Sequence, residues 1–442
     1  MSSWTSTDLW IVLAGALAGL ACVIPGTFLL LRRMSMMGDA ISHAVLPGIA
    51  IAFILSQSRG GPALLLGAVL AGILSAALTQ MLHSRAEVEE GASMGVVFTL
   101  MFAAGLLLLN SPLVGKYVDL DLDCVLFGAV ELVPLEPSTL WLPGVPAPIA
   151  RLGVVLLINL ALLVLLFKEW RLSAFDPALS DALGFSTRKL HLLLMTQTAV
   201  TAVYCFEIVG SILVIAMLIV PAACARMFTD RLRPTLLIAA GISLVTAFAG
   251  HAAALSIPRA LGFSDTSSAG AMAAAGGGLF FLSVILAPRH GLLRQALHRR
   301  HLARRTLEED LLGSLYRQAE LDSPGPSPAP SGFSSRMHRQ ALRSLVRRGF
   351  LTKEFTLTHN GFRAGAELLR SHRLWEEWLH EYTDTALDHL HRPAEALEHI
   401  TGPRLRERLA EDLGQPRYDP TGRRIPRDEL EGRETVSLTG ED

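Results

Sequence analysis

The stretch MGDAISHAVLPG, residues 37–48, carries an aspartate and a histidine at the start of an apolar segment long enough to enter a lipid bilayer. Asp39 and His43 are four residues apart, so they share one face of a helix. Ionisable side chains at this depth usually face a pathway or a partner, and a carboxylate with an imidazole suits a divalent transition metal. The pair therefore indicates a metal site in a membrane pathway. The simpler alternative is that Asp39 caps the helix and His43 hydrogen-bonds to a neighbouring backbone group.

The composition of the 442-residue chain separates a membrane part from a soluble part. Hydrophobic residues make up 51% of the chain, charged residues make up 18%, and the mean hydropathy is +0.40. Up to about residue 288, apolar blocks alternate with short polar loops. From Arg289 onward, Arg, Glu and His are abundant, and no block is long enough to span a membrane. We therefore expect a membrane domain followed by a soluble domain.

Apolar blocks of the roughly 20 residues that a bilayer requires occur at eight or nine places. They cover residues 8–31, 40–57, 62–83, 92–110, 152–168, 190–207, 209–227, 234–254 and 268–287. The number is open because residues 190–227 fit either two spans that meet at 207–210 or one span with a re-entrant piece. The first block has no basic start and no Ala-x-Ala cleavage site, so we expect a retained span rather than a signal peptide.

Basic residues fall at alternate ends of the nine predicted spans, at 32–33, 168–171, 226–233 and 289–305. Cytoplasmic loops of membrane proteins carry the excess of Lys and Arg. The pattern therefore predicts an N-terminus outside the cell and a C-terminal tail in the cytoplasm. The loop 110–150, with acidic residues at Asp119, Asp121 and Asp123, is then expected outside, unless part of it folds back into the membrane.

Three further features accompany the Asp39 and His43 motif: the triplet Leu126-Phe127-Gly128 after the acidic loop, and the segments Val209–Val214 and Leu218–Ala223. Together they resemble the ABC-3 type permeases, the membrane subunits of zinc, manganese and iron ABC importers, over roughly the first 288 residues. The resemblance implies that Asp39 and His43 bind the metal in transit. It also implies a bacterial inner-membrane location and three partners: an external metal-binding protein, a second permease subunit and a cytoplasmic ABC ATPase. The chain contains no G-x-x-x-x-G-K-[ST] motif, so we expect a separate subunit to hydrolyse ATP and this chain not to be an enzyme.

The segment FDPALSDALGF, residues 175–185, lies on the predicted inner face between two spans. It resembles the segment through which the ATPase moves the permeases of this family. That resemblance assigns the coupling positions to Asp176, Ala182 and Gly184. An ordinary amphipathic connector is the alternative.

Other ionisable residues near the membrane are expected to lie outside the pathway. Glu207, at the break between two apolar runs, either adds a carboxylate to the pathway or marks the outer interface, and we favour the interface. His251 and Asp265, near the last outer loop, are expected to be solvated.

Two segments of the tail carry histidine and glutamate at helical spacing. His372 and Glu376 are four residues apart, and His391 is followed one turn later by Glu395 and then by Glu398 or His399. On helices these spacings align imidazole and carboxylate groups on shared faces, as ligands of Mn, Fe or Zn require. One such pair is common by chance, but two in succession favour metal binding.

From about Leu307 to Pro426, the tail resembles the metal-dependent repressors of the diphtheria toxin repressor and manganese transport regulator family. The resemblance implies a first metal site at His372, Glu376 and His391, and a second at Asp310, Glu395, Glu398 and His399. The acidic residue at 395 matches the manganese-type members. Gly313 departs from them, because they carry another carboxylate there. The closing piece at 413–426 resembles the end of the family's dimerisation domain.

The DNA-reading part of that family is only partly present. Where a helix-turn-helix would begin, residues 319–332 are rich in proline, which resists helix formation. A basic helix is predicted at about 334–348, followed by a wing through Thr358. Its arginines are suited to phosphates, to the inner membrane surface or to the ATPase, and we do not favour nucleic acid binding.

These observations predict an all-α polytopic membrane protein with eight or nine transmembrane helices and a C-terminal cytoplasmic, mostly α domain derived from a winged helix. The predicted domains are a permease at 1–288, a basic linker at 289–306, a metalloregulator-like domain at 307–430 and a disordered tail at 431–442. Within the third, a degenerate winged helix is expected at about 307–368, and metal-binding and dimerisation helices at about 369–430.

We expect this chain to import Mn, Zn or Fe, and its tail to bind the same class of ion and restrain transport when cytoplasmic metal rises. Two other functions of the tail stay open. It is either a metal-dependent transcription regulator, with or without proteolytic release, or an inert assembly module. The eroded helix-turn-helix counts against the regulator, and the clustered His and Glu residues count against the inert module.

Overall fold

The computed structural model of the chain describes residues 4–34, 36–56, 62–109, 111, 130–139, 142–262, 266–289, 291–320, 335–383 and 385–426. Its contacts divide it into two compact units, Met1–Arg294 and Gln295–Asp442. The first unit contains the apolar blocks and the second contains the charged tail.

Nine helical spans of the described residues are long and apolar enough to cross a membrane. They are formed by α1 (Ser6–Leu31), α2 and α3 together (Met37–Ala44 and Leu46–Ser56), α4 (Pro62–Ala86), α5 (Glu90–Leu109), α6 (Ala147–Leu165), α9 (Thr187–Val209), α10 (Ser211–Phe228), α11 (Leu232–Leu261) and α12 (Ser268–Leu286). Two short helices, α7 (Phe167–Phe175) and α8 (Pro177–Ala182), connect α6 to α9. The prediction of an all-α membrane unit with eight or nine spans is confirmed.

The segment at 190–227 forms two helices rather than one span with a re-entrant piece. Helix α9 ends at Val209 and α10 begins at Ser211. Between them Gly210 has a φ of +83°, which lies in the region that residues with a Cβ rarely adopt. The glycine therefore provides the break between the two helices.

Helix α1 lies at the centre of the membrane unit and packs against α6, α9, α10 and α11. Its glycines allow close approach: Gly19 lies against Ser243 of α11, and Gly26 lies against the backbone of Leu218 in α10. A buried polar cluster adds to this packing. Asn159 of α6 donates hydrogen bonds to the carbonyl of Ala21 and to Thr201 of α9, both at 2.9 Å. Small residues and interhelical hydrogen bonds are the usual sources of helix association in lipid.

The second span is broken between α2 and α3. Pro47, at the second position of α3, has no N–H to donate to the carbonyl of His43, four residues earlier, so the helical hydrogen bonding is interrupted there. Beyond the break, α3 packs closely on α4, where a Cβ on Gly48 would collide with the carbonyl of Gly67.

A small irregular region precedes α6. It contains a 3₁₀ helix at Val130–Leu135 and a two-stranded antiparallel sheet, β1 (Ser138–Thr139) and β2 (Leu142–Pro146). The 3₁₀ helix packs against α1. Its Glu131 accepts a hydrogen bond from the backbone N–H of Ser268, the first residue of α12, at 2.6 Å.

The described residues of the tail form five α-helices and a short 3₁₀ helix at Leu387–His389. The α-helices are α13 (Leu292–Glu320), α14 (Ser335–Arg347), α15 (His359–Thr383), α16 (His391–Glu398) and α17 (Pro403–Asp412). Leucines 307, 311 and 312 of α13 pack on Ala341 and Leu345 of α14 to form one core. An antiparallel bridge between Leu351 and Leu357 follows α14, at the position predicted for the wing.

The closing loop 413–426 packs back on α15, where Ile425 joins a second core with Leu374 and Leu409. Arg373, which is 4% exposed, holds this arrangement. It forms a bidentate pair with Glu320 at the end of α13, at 2.7 and 3.1 Å, and donates to the carbonyl of Arg424.

Several predicted features lie outside the described residues. They are the Leu126-Phe127-Gly128 triplet, the acidic residues Asp119, Asp121 and Asp123, Asp265, most of the proline-rich stretch and the tail at 431–442.

Candidate metal centres

The first candidate centre is the pair Asp39 and His43 on α2. Asp39 Oδ1 and His43 Nε2 are 3.7 Å apart, and their side chains are 44% and 30% exposed. This separation is too long for a mutual hydrogen bond but suits two atoms that bind one ion. The N-cap of α2 is Met36, which makes no side-chain capping bond, so Asp39 lies inside the helix rather than capping it.

Aromatic residues of α5 support the histidine of this pair. The ring of His43 lies 5.5 Å from that of Phe98 and 5.3 Å from that of Phe102. The other face of α2 is buried through Met37 and Ile41. The sequence therefore fixes one face of α2 by apolar packing and leaves the carboxylate and the imidazole accessible, next to the break before α3.

The predicted coupling positions lie around α8. Asp176 is the N-cap of this helix and accepts a hydrogen bond from the backbone N–H of Leu179 at 2.9 Å. Ala182 is its last residue, and Gly184 follows with a φ of +87°. The segment thus forms a defined helical turn. Its exposed Leu179 and Leu183 offer an apolar surface.

The two other ionisable residues that the sequence singled out have different surroundings. Glu207 pairs with Arg151 at 3.0 Å, and both side chains are partly exposed. His251 is 2% exposed, so the expectation that it is solvated is wrong. Its ring contacts Asp8 at 3.3 Å and Ser268 at 3.1 Å. This burial comes from the N-terminal turn of α1 packing over α11, and the local sequence around His251 carries no signal of it.

A further candidate centre, called here the first tail centre, brings together His372, Glu376 and His391. Helix α15 supplies His372 and Glu376 one turn apart, and α16 begins with His391. His372 Nε2 lies 3.0 Å from Glu376 Oε1 and 2.8 Å from His391 Nδ1, and the last two atoms are 3.2 Å apart. Ligands at about 2.0–2.2 Å from a metal ion have neighbours about 3 Å away, so this triangle fits one face of a coordination sphere.

The second tail centre brings together Asp310, Glu398 and His399. His399 Nε2 is buried and lies 3.1 Å from Asp310 Oδ1 and 3.9 Å from Glu398 Oε1. Its other ring nitrogen, Nδ1, is 2.8 Å from Glu309 Oε2. A carboxylate that holds the second nitrogen of a histidine orients the first toward a metal. Glu309 therefore lies where it would orient His399 in this candidate centre.

Four residues were predicted for the second regulatory site, and the structure brings three of them together, Asp310, Glu398 and His399. The prediction did not include Glu309. Glu395 is exposed and is not among the atoms that cluster. Glu309 lies one helical turn before Gly313. Gly313 is the position at which the resemblance to the manganese-type repressors would place another carboxylate. The run Glu308-Glu309-Asp310 was the available signal, but only the contact with His399, 90 residues away, shows which carboxylate is used.

Electrostatics of the tail centres follow from their carboxylates. Burial disfavours the charged ring of His372, but the hydrogen bonds and charges of Glu376 and Glu398 outweigh it and raise its pKa from 6.5 to about 9. Burial likewise disfavours the charged ring of His399, but Asp310, Glu309 and Glu398 raise its pKa to about 10. Each centre is thus an anionic pocket that holds a proton where a metal cation would bind.

The comparisons with known proteins match the two units separately. The family model for the ABC 3 transport family matches residues 7–287. The chain belongs to the ABC 3 transport family. A second model, for the metal binding and dimerisation domain of the iron-dependent repressors, matches residues 358–427. This member of the ABC 3 transport family is a multi-pass membrane permease fused to a repressor-type metal-binding domain, as the sequence predicted.

Relatives of the ABC 3 transport family cover the membrane unit of this chain. The manganese transport system membrane protein MntD of Bacillus subtilis (strain 168) is 38% identical over 66% of this chain and 96% of its own length. The zinc transport system membrane protein TroD of Treponema pallidum (strain Nichols) is 38% identical over 66% of this chain and 77% of its own length. The solved structure of PsaBC from Streptococcus pneumoniae in complex with a Fab has a TM-score of 0.54 and 25% identity, and covers 66% of this chain and 96% of that chain.

Proposed function

We propose that this chain is the permease subunit of a bacterial ABC importer for manganese, zinc or iron ions, and that its tail binds the same class of ion and restrains transport. A single observation carries the proposal. The chain presents a carboxylate–imidazole pair beside a broken membrane helix, and two further carboxylate–imidazole centres in its tail. An importer that handles no metal has no need for a carboxylate–imidazole pair in its membrane unit together with such centres in its tail.

Asp39 and His43 would form part of the transport site. Discontinuous membrane helices place polar groups and free backbone carbonyls at substrate sites, and α2 and α3 have this arrangement. The pair supplies only two ligand atoms, so the remaining positions would be filled by water or by a second permease subunit. Relatives named as manganese and zinc transport proteins support a first-row divalent ion as the substrate.

The proposed partners follow from the family. A separate ATPase would supply energy through α8 and the turn at Gly184, and an external metal-binding protein would deliver the ion. The distribution of basic residues supports an outside N-terminus and a cytoplasmic tail. In this orientation the tail samples the metal that transport has already delivered.

Feedback requires that the metal-loaded and metal-free tails differ in conformation. The tail centres join three helices: α13 gives Asp310, α15 gives His372 and Glu376, and α16 gives His391 and Glu398, with His399 directly after its end. A bound cation would replace the protons that now balance these carboxylates and draw the helices together. We also propose the domain boundaries at residues 288, 306 and 430, which rest on the change from apolar to charged sequence and on the resemblance of the tail to the repressors.

Metal uptake into proteoliposomes that hold the full transporter tests both halves of the proposal. The intact chain, Asp39→Ala and His391→Ala would be compared with Mn²⁺, Zn²⁺ or Fe²⁺ preloaded inside, and His389→Ala, 77% exposed beside the centre, is the matched control. We expect Asp39→Ala to abolish uptake and His391→Ala to relieve inhibition by internal metal. Equal inhibition of the His391→Ala and His389→Ala variants would exclude metal-dependent feedback through this centre.

A DNA-binding tail is the second candidate function, because α14 carries Arg336, Arg339, Arg343 and Arg347 and is followed by the Leu351–Leu357 bridge. A mobility-shift measurement with the full chain in detergent and the promoter of its own gene, with and without Mn²⁺, tests this candidate. A metal-dependent shift that Arg339→Gln and Arg343→Gln abolish would favour it over feedback.

A further inference from the structure

A basic cavity of about 600 Å³ lies in the membrane unit, at the end of α1 that the distribution of charge assigns to the cytoplasm. Its walls are the end of α1, the end of α4, the turn around α8 and the start of α9. The charged residues on these walls are Arg32, Arg33, Arg188 and Asp181, together with the imidazoles of His83 and His191. Three guanidinium groups therefore face one carboxylate. Neither the transport site nor the tail centres use any of these residues.

The single carboxylate is already engaged. Asp181 Oδ1 accepts a hydrogen bond from the backbone N–H of Thr187, the first residue of α9, at 2.8 Å. No ion pair forms between Arg33 or Arg188 and any carboxylate among the described residues. Among the described residues, Arg33 and Arg188 thus bring more positive charge to the cavity than its one carboxylate can balance, and an anion in the cavity would be attracted.

Neutral side chains hold the guanidinium groups in place. Arg32 donates to Ser173 Oγ at 2.7 Å and to His191 Nδ1 at 3.0 Å, and Arg188 donates to Ser84 Oγ at 2.8 Å. Because arginine is only a donor, His191 accepts at Nδ1. Arg33 follows with a φ of +63°, a conformation that residues with a Cβ rarely adopt and that clusters at ligand sites. The guanidinium groups of Arg32 and Arg188 are therefore held in position before any anion binds.

The position of the cavity along the membrane normal indicates which class of anion it binds. It lies at the ends of two spanning helices, where the headgroups of the inner leaflet lie, and its walls also include the apolar Leu31 and Met34. Basic pockets between membrane helices on the cytoplasmic side are suited to acidic lipid headgroups. A soluble anion needs the guanidinium groups but not the apolar wall.

We propose that this cavity binds the phosphate group of an anionic phospholipid through Arg32, Arg33 and Arg188. The assignment to the inner leaflet rests on the orientation given under the proposed function. A lipid bound there touches both the spanning helices and the turn around α8, and so links membrane composition to the segment that faces the ATPase.

Lipid retention by the full transporter tests the proposal without requiring transport. The transporter would be purified from nanodiscs of mixed phosphatidylglycerol and phosphatidylcholine, and the lipids it retains would be measured by native mass spectrometry. The test variant is Arg33→Gln/Arg188→Gln, called the Gln/Gln variant. Arg33→Lys/Arg188→Lys, called the Lys/Lys variant, keeps the charge at the same two positions. Arg226→Gln is the matched control, because Arg226 already pairs with Asp230 at 3.7 Å.

We expect the intact transporter, the Lys/Lys variant and Arg226→Gln to retain phosphatidylglycerol selectively. Two lost charges should lower that selectivity by about tenfold or more in the Gln/Gln variant. Asp39→Ala should retain the same lipid while losing uptake, so a failure of the transport proposal is distinguishable from a failure of this one.

Three results would overturn the proposal. Equal selectivity of the Gln/Gln variant and the intact transporter would show that the cavity does not select lipid. Equal thermal protection of the transporter in phosphatidylcholine by inorganic phosphate and by phosphatidylglycerol would assign the cavity to a free anion. Loss of ATPase binding in the Gln/Gln variant with unchanged lipid retention would assign it to a protein partner.

Discussion

His372 Nδ1 lies 2.6 Å from Glu398 Oε2, and this hydrogen bond joins the first and second tail centres, the two candidate metal centres of the described tail. The opposite nitrogen of the same ring, Nε2, faces Glu376 and His391 in the first centre. Glu398 belongs to the second centre, where its other oxygen points toward His399. One buried imidazole therefore touches ligands of both centres, so occupation of one centre should influence the other.

The shared histidine gives a prediction about stoichiometry. We expect His372→Ala to lose metal from both centres, because it removes a ligand of the first and leaves the buried Glu398 of the second without its partner. His391→Ala should lose metal from the first centre only. Metal content per chain, measured by mass spectrometry after dialysis against Mn²⁺, distinguishes the two variants, with His389→Ala as control. Retention of the second ion by His372→Ala would show that the centres are independent.

The raised pKa values of the two histidines predict how metal binding depends on pH. In the metal-free tail, the pKa of His372 is raised from 6.5 to about 9 and that of His399 to about 10. The stability that comes from these protonated rings is fully present below pH 6.5 and is lost as the pH rises through 9 to 10. Metal needs the neutral ring, so binding releases these protons.

We therefore expect the affinity for Zn²⁺ to increase as the pH rises from 6.5 toward 9, while the metal-free tail becomes less stable over the same range. Competition titrations with a chelator and thermal unfolding of the metal-free chain measure the two trends. An affinity that stays constant over this range, after correction for the chelator, would mean that neither ring is protonated in the metal-free tail.

Close packing of α3 and α4 gives a prediction for the membrane unit. A Cβ on Gly67 would collide with the carbonyl of Gly48, and backbone cannot move aside as a flexible side chain can. We expect Gly67→Ala to destabilise the unit by about 1–3 kcal/mol, the range for overpacking. Gly95→Ala is the matched control, because a Cβ there meets no atom within 4 Å. Thermal unfolding in nanodiscs compares the two, and equal melting temperatures would contradict the predicted collision.

The features predicted well from the sequence were those that depend on local pattern. The length of the apolar runs gives the nine spans, and the four-residue spacing gives the shared faces of Asp39 with His43 and of His372 with Glu376. The break at Gly210 left two alternatives open. The structure decides between them, because α9 and α10 are separate helices and each is long and apolar enough to cross a membrane.

The features that the sequence did not predict depend on contacts between distant segments. His251 is buried by Asp8, 243 residues earlier, and His399 is oriented by Glu309, 90 residues earlier. Glu395 has the right helical spacing but is exposed and lies outside the cluster, because tertiary packing decides which residues of α16 face α13 and α15. Helical periodicity identifies candidate ligands, and tertiary packing decides which of them meet.

The contacts of Arg373 predict how the closing loop, residues 413–426, is held in place. Its guanidinium group binds both oxygens of Glu320, lies 3.8 Å from Asp419 and donates to the carbonyl of Arg424, so one buried side chain connects α13, α15 and the loop. Lysine keeps the charge but cannot reproduce the planar bidentate contact. We expect Arg373→Lys to destabilise the tail by about 2–3 kcal/mol, somewhat less than a fully buried pair because Glu320 is partly exposed.

Hydrogen exchange of residues 417–425 measures this effect directly, because the loop should lose protection before the helices do. The matched control is Arg363→Lys, whose arginine is 67% exposed and pairs with Glu367 at 3.5 Å. An exposed pair of this kind should change stability by no more than about 0.5 kcal/mol. If both variants exchange like the intact chain, the loop is held by the apolar contacts of Ile425 with Leu374 and Leu409, and the buried arginine serves only to satisfy the carboxylates around it.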